Sequence, residues 1–300
     1  MSEEKIVTKI KKKISSPQII KAGVIGNPVK DSLSPKIHNF FLEKYAISGS
    51  YQTIEINDDD FDNAIKNLIE QGFSGFNVTI PFKEKIFSKC DFLSEEAKII
   101  KAVNTVVIDK NKKLHGYNSD AKGFIENIYN KFPDIVLKQK TAFVIGAGGA
   151  CRAIVYGLIS QGVKSIYLTN RNSTRVKKLI TDFNQLLQNH NCNIFHLSQN
   201  DFENSLDKCD ILINSSSLGM TNQPRLIIDI KKLNSSAIVY DIVYKPLETD
   251  LLKSAKSQGN PIITGIGMLV QQALVGFNKF YGVIVKDTDN LEKTLILNKI

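Results

Sequence analysis

Gly146, Gly148 and Gly149 stand between an apolar run, Thr141 to Ile145, and a stretch whose apolar positions Ile154, Val155, Leu158 and Ile159 follow helical spacing. A strand that turns through glycines into a helix constrains a fold strongly. The first glycine permits the tight turn, the next lets backbone approach a pyrophosphate, and the helix start presents free N–H groups and a positive dipole end. Glycine-rich turns also occur for conformational reasons alone, so the surroundings decide. Here the β-rich runs Thr141 to Ile145, Ser165 to Thr169, Asn193 to Leu197, Ile211 to Asn214, Ala237 to Tyr240 and Pro261 to Thr264 are separated by helical patterns. That spacing predicts a doubly wound, Rossmann-type dinucleotide-binding sheet.

A second α/β block precedes it. Ala22 to Ile25 reads as a strand, Pro35 to Ala46 as a helix, Tyr51 to Ile56 as a strand, Asp60 to Gly72 as an amphipathic helix and Phe76 to Ile80 as a strand. Val103 to Ile108 and Leu114 to Tyr117, turning around Asn111, form a predicted hairpin, and the helix from Asp120 to Lys131 bridges the blocks. The fold class expected is α/β with two domains. Residues 1 to 20 read as a loosely ordered basic extension.

Composition excludes several function classes. With 42% hydrophobic and 23% charged residues, the chain has ordinary globular composition and no apolar run near the roughly 18 residues of a membrane span. The N-terminus lacks the apolar segment of a secretory signal, which predicts a cytoplasmic protein. Cys90, Cys151, Cys192 and Cys209 are scattered and the four histidines do not cluster, so no metal site is expected. The net charge of +9 is spread along the chain, which argues for a solvated basic surface that draws in small anions and against nucleic acid as a partner. No oligomer seam is readable, leaving a monomer or a homodimer.

About 20 residues beyond the glycine turn, an NAD site carries Asp or Glu for the ribose hydroxyls. This chain instead reads Thr169-Asn170-Arg171-Asn172, with Arg175 one turn along. Guanidinium groups there attract the 2′-phosphate of NADP, and no carboxylate opposes it. The alternative is that Arg171 and Arg175 are surface residues of a helix start.

The first block carries polar residues where open α/β sheets bind ligands. Ser32 and Ser34 precede a helix, with hydroxyls suited to a carboxylate, although local evidence alone favours an ordinary N-cap. Asn77-Val78-Thr79-Ile80-Pro81-Phe82-Lys83-Glu84 puts a lysine at a strand's carboxyl end, and Asn104 and Asp120 lie near the bridging helix. Asp120 alone reads as a helix cap. Brought together with Lys83, it forms a pair that hydrogen-bonds a reacting hydroxyl and moves its proton without metal.

In these motifs the chain resembles the shikimate dehydrogenases, from about Gly23 to the C-terminal region. The resemblance rests on Gly26-Asn27-Pro28-Val29-Lys30-Asp31-Ser32-Leu33-Ser34-Pro35-Lys36-Ile37-His38-Asn39, the segment Asn77 to Glu84, Ala102-Val103-Asn104-Thr105 and Gly116-Tyr117-Asn118-Ser119-Asp120. It continues through Gly146 to Ala150, Asn170-Arg171, Asn214-Ser215-Ser216-Ser217-Leu218-Gly219-Met220, Asp241-Ile242-Val243-Tyr244-Lys245-Pro246 and Gly265-Ile266-Gly267-Met268-Leu269-Val270-Gln271-Gln272-Ala273. It implies NADPH-dependent reduction of 3-dehydroshikimate to shikimate in aromatic amino acid biosynthesis. It further implies Lys83 and Asp120 as the catalytic pair, and Ser32, Ser34, Thr79, Asn104, Tyr244 and Gln272 as the substrate site. Gly146, Ala147, Gly148, Gly149 and Ala150 would hold the pyrophosphate, and Asn170, Arg171, Asn172 and Arg175 the adenosine phosphate end. Ile242 and Gly265 would lie along the nicotinamide, with Glu95 at the cofactor's edge.

The implied domains are 21 to 120 with 265 to 300 for substrate and 121 to 264 for NADP(H), the last helices returning to the first domain. Asn172 stands where many members have Thr, and Gln272 is preferred to Gln271 because it precedes Ala273. The rival readings are an NAD-dependent quinate/shikimate dehydrogenase and a catalytically silent NADP-binding module. Cys151, at the helix start, reads as a small packing residue, since no base accompanies it.

Overall fold

The structure is a computed structural model that describes residues 19–288 and 291–297. The basic extension expected at residues 1 to 20 falls almost wholly outside the described residues, although Ile20 already begins the first strand.

The N-terminal half builds a mixed sheet from β1 (Ile20–Gly26), β2 (Gly49–Glu55), β3 (Phe73–Val78), β4 (Phe92–Leu93), β5 (Thr105–Ile108) and β6 (Leu114–Tyr117). Its strand order is β2-β1-β3-β5-β6-β4. β1 is central, paired in parallel with β2 and β3, and its run from Ala22 to Gly26 is apolar or glycine on both faces, as a strand covered on both sides requires. The helices α1 (Ser34–Lys44) and α2 (Phe61–Glu70) make the crossovers. β5 and β6 form the expected hairpin; β5 runs antiparallel to β3 and to β6, so the sheet is only partly parallel. The short elements α3 (Lys83–Phe87), β4 and α4 (Glu95–Ile100) carry too few residues for a periodic signal and were not foreseen.

α5 (Asp120–Lys131) leads into the second sheet, whose strands are β7 (Thr141–Ile145), β8 (Ser165–Thr169), β9 (Asn193–His196), β10 (Ile211–Asn214), β11 (Ile238–Asp241) and β12 (Ile262–Ile263). All its pairings are parallel, in the order β12-β11-β10-β7-β8-β9, the doubly wound arrangement. The order reverses between β7 and β10, so the loops leaving these strands diverge and open a crevice at their carboxyl ends. Gly146 leaves β7 with φ +127°, and a Cβ there would fall 2.5 Å from Ser215 Oγ in the loop after β10. α6 (Gly149–Ser160) follows at once, then α7 (Ser173–His190), whose N-cap Asn172 accepts from the Arg175 N–H at 3.2 Å.

After α8 (Gln199–Asn204) and α9 (Asp250–Ser257), α10 (Gly265–Tyr281) runs back to the first half. Its residues Val270, Ala273, Phe277 and Phe280 share one core with Ala22, Val24 and Phe41, joined by Leu291 and Leu295 of α11 (Leu291–Ile296). α10 also crosses α5 with almost no gap. A Cβ on Gly123 would lie 2.9 Å from the backbone nitrogen of Gln272. That contact brings a residue from the end of the chain to the first sheet.

Candidate active site

Lys83 owes its position to the end of β3. The chain turns through Thr79 to Phe82, whose ring is buried against Phe61, and Lys83 opens α3 with its carbonyl held by the Val103 N–H at 2.9 Å. Asp120 arrives from β6 through Asn118, which donates to the Ala102 carbonyl and accepts from the Asp120 N–H. Lys83 Nζ then meets Asp120 Oδ2 at 2.5 Å. Asp120 opens α5 without capping it, so the structure decides between cap and charge partner in favour of the latter.

The pair is nearly shielded, with side-chain exposures of 14% for Lys83 and 5% for Asp120. Removing either member would strand the other's charge, a larger cost than the net worth of the pair. Asp120 Oδ1 accepts from Asn104 Nδ2 at 2.8 Å, and the Asn104 carboxamide oxygen accepts from the Ser119 N–H and the Thr105 hydroxyl. Behind Asn104, Asn77 Nδ2 donates to its carbonyl, and the Tyr51 hydroxyl donates to Asn77 Oδ1 at 2.7 Å. The aspartate is thus fixed as an acceptor, and the ammonium keeps N–H groups to offer a ligand oxygen.

A cavity of about 370 Å³ opens beside this pair. Lys83, Asp120, Ser32, Ser34, Thr79, Asn104, Tyr244 and Gln272 all line it, which brings together every residue expected at the substrate end. Ser34 does not cap α1 through its side chain; the Ser32 hydroxyl instead accepts from the Ser34 N–H at 3.2 Å. Burial raises the Tyr244 phenol above its usual range, and the adjacent Ser32 hydroxyl works the other way. The Gln272 carboxamide donates to the Leu269 carbonyl, and its oxygen accepts from the Ser119 hydroxyl at 3.4 Å. Asn77, Ser216, Met220 and Asn222 also line the cavity and were not singled out from sequence. Asn77 lies within the segment Asn77 to Glu84, and Ser216 and Met220 within Asn214 to Met220, both of which carry the family resemblance; Asn222 carries no local chemical signal.

On the other side the cavity reaches Ala150, Ile242 and Gly265. α6 begins at Gly149 with no side-chain cap and no acidic residue in its first turn, and a Cβ on Gly148 would meet no atom within 4 Å. Free helix N–H groups beside open space fit a pyrophosphate. Ala147 is buried and has only backbone to offer. The Cys151 thiol donates to the Gly146 carbonyl, and burial pushes its pKa up to about 11, so it packs the loop as an inert thiol.

Asn170, Arg171, Asn172 and Arg175 follow β8 but do not line the cavity. Asn170 donates to the Asn172 carbonyl, Arg171 is exposed, and Arg175 pairs with Glu84. Glu95 gains no support as a cofactor residue. It opens α4 with its side chain 83% exposed and ion-paired to Lys98. Glu84, rather than Glu95, pairs with a residue of the second domain, as Asp31 does with Lys245. Among the described residues, no group of three His, Cys, Asp or Glu side chains is placed to hold a metal.

Comparison with known proteins agrees with this geometry. The family profile described as "Shikimate dehydrogenase substrate binding domain" matches residues 24–106, and "Shikimate / quinate 5-dehydrogenase" matches residues 128–242. The chain is similar to the shikimate dehydrogenase (NADP(+)) of Paramagnetospirillum magneticum, with 40% identity over 90% of this chain and 95% of the relative. Among solved structures it is similar to the Thermus thermophilus shikimate 5-dehydrogenase in complex with NADP(H) and shikimate. There the TM-score is 0.79 at 30% identity, covering 92% of this chain and 98% of the other. It is also similar to the Corynebacterium glutamicum quinate dehydrogenase in complex with NAD, with TM-score 0.83, 27% identity and coverage of 93% and 99%. By sequence, fold and site, the chain belongs to the shikimate dehydrogenase family.

Proposed function

We infer that the protein catalyses the reversible, NADPH-dependent reduction of 3-dehydroshikimate to shikimate. The observation that carries this reading is the shielded Lys83–Asp120 pair in one cavity with Ser32 and Ser34, reached from the other side by the uncapped start of α6.

Bound nicotinamide supplies the hydride. The chain's own residues do the rest. Ser32 and Ser34 offer hydroxyls to the substrate carboxylate, with Tyr244 beside them. Lys83, as ammonium, donates to the carbonyl oxygen as negative charge develops on it and yields the proton that completes the alcohol. Asp120 keeps that ammonium aimed, and Asn104 keeps Asp120 from rotating. Positioned acid–base chemistry of this kind contributes on the order of 10²- to 10⁴-fold. In the oxidation direction Lys83 takes the proton back through the same hydrogen bond.

Preference for NADP(H) rests on Arg171 and Arg175 and on the absence of Asp or Glu at the end of β8. Initial rates for shikimate or quinate with NADP or NAD test both halves of the reading. Activity concentrated in shikimate with NADP is expected. Comparable rates with quinate and NAD would move the protein to the quinate branch, and silence in all four would leave a binding module.

A further inference from the structure

Glu84 directly follows Lys83 in α3, yet it does not line the cavity that Lys83 lines. Oε1 accepts from Arg175 Nη2 of the second domain at 2.6 Å. Arg175 sits in the first turn of α7, its backbone held by the Asn172 cap, so its side chain projects from the end of β8 towards the first domain. A second observation fixes where this pair lies. A Cβ on Gly149, the first residue of α6, would come to 2.8 Å from Lys83 Cβ, so Glu84 follows directly on the residue that meets the helix start that fits a pyrophosphate. One of the two guanidinium groups expected at the adenosine 2′-phosphate is therefore held by a carboxylate in the cofactor-free chain. Among the described residues Arg171 makes no ion pair, so the two arginines are not equivalent.

We propose that Glu84 is a specificity-determining residue for the cofactor: it holds Arg175 in the cofactor-free enzyme, and the 2′-phosphate of NADP(H) must take its place. This rests on the reading of Arg175 as a phosphate ligand. The exchange follows from charge. A phosphate dianion outbids a single carboxylate for a bidentate guanidinium. The displaced carboxylate remains nearby, so it subtracts from the affinity for the phosphate-bearing cofactor. NAD(H), with ribose hydroxyls at that position, neither breaks the pair nor feels this loss. The pair is partly exposed, 53% for Arg175 and 31% for Glu84, which keeps the effect moderate.

Titration calorimetry on the full chain tests this, with NADP⁺, NAD⁺, adenosine 2′,5′-bisphosphate and 5′-AMP as probes. Glu84→Gln keeps the side chain's shape and removes its charge. It is expected to tighten NADP⁺ and adenosine 2′,5′-bisphosphate by about three- to fivefold, the upper end for a partly exposed pair, and to leave NAD⁺ and 5′-AMP within twofold. In an Arg175→Ala background the gain should vanish, because the two residues act through one contact. Unchanged or weaker NADP⁺ binding in Glu84→Gln, or an equal gain for NAD⁺, overturns the proposal. Arg175→Ala alone separates the two layers. If it leaves adenosine 2′,5′-bisphosphate binding intact, the phosphate role of Arg175 itself is wrong; if it weakens that binding while Glu84→Gln does nothing, only the role given to Glu84 fails.

Discussion

Gly149 and Lys83 touch across the two domains: a Cβ added to Gly149 would come to 2.8 Å from Lys83 Cβ and 3.5 Å from Ala102 Cβ. The first residue of α6 and the stem of Lys83 therefore fix each other's position. The contact is with Cβ, next to the main chain, so Lys83 has no flexible end with which to yield.

Gly149→Ala should therefore damage chemistry more than folding. Either the lysine stem shifts or the domains separate, and a displacement near 1 Å at the reacting group costs on the order of 10²-fold in turnover. Steady-state kinetics on the variant, alongside its melting temperature, check this. A turnover within twofold of the parent would show that the contact relaxes harmlessly.

Lys83→Ala should lower kcat by about 10²- to 10⁴-fold while NADP⁺ affinity changes little. Asp120→Asn should lower it as well, because the carboxamide still accepts one hydrogen bond but no longer aims a charged ammonium. The two losses are expected to be far from additive, since both residues act on one proton. Rates for the single and double variants under saturating shikimate and NADP⁺ test this, and additive losses would assign the residues separate tasks.

The legible parts of this protein were those written locally. The glycine turn, the parallel runs around it and the hairpin near Asn111 each need only a few neighbouring residues to be recognised, and they lie where the sequence puts them. Asp120 shows the limit. Its local chemistry says helix cap, and only the approach of Lys83, 37 residues away, makes it a charge partner. Gln272 was reachable only through family resemblance, because no local signal tells that α10 returns to cross α5 at Gly123. Glu84 and Glu95 are equally acidic and equally helical in sequence. Which of them meets the second domain depends on how α3 and α4 are turned, a property of packing that periodicity in five- and six-residue helices does not encode.

Asp241, at the end of β11, is fully buried and accepts from Asn214 Nδ2, the Val243 N–H and the Thr249 hydroxyl. Burial outweighs these donors and raises its pKa to about 6. An aspartate raised in the native state binds a proton that the unfolded chain, near 3.9, has already lost, so stability falls as pH rises from about 4 to 6. The shift corresponds to about 3 kcal/mol. Asp241→Asn should flatten this limb of the stability curve. Urea melts at pH 4.5 and 7 measure the slope, and equal slopes in parent and variant would mean the carboxylate is ionised at no cost in the fold.

His38 supplies the opposite sign. Both ring nitrogens are buried without a hydrogen-bond partner, the ring stacks on Tyr51 at 3.9 Å between centroids, and burial lowers its pKa from 6.5 to about 3. The unfolded chain takes up a proton below 6.5 that the native state refuses, so stability falls as pH drops from 6.5 towards 3, by up to roughly 5 kcal/mol. His38→Leu removes the titration and keeps an apolar side chain in the core. The variant should lose less stability than the parent between pH 7 and 4, a difference that opposes the Asp241 effect and is separable from it by the double variant. It should also affect catalysis slightly at neutral pH, because Tyr51, released from its stacking partner, donates to Asn77, and Asn77 donates to the Asn104 carbonyl behind Asp120. A drop in kcat of a few fold with unchanged NADP⁺ affinity would trace that path; an identical pH dependence of stability in parent and variant would show that the buried imidazole is protonated in the fold after all.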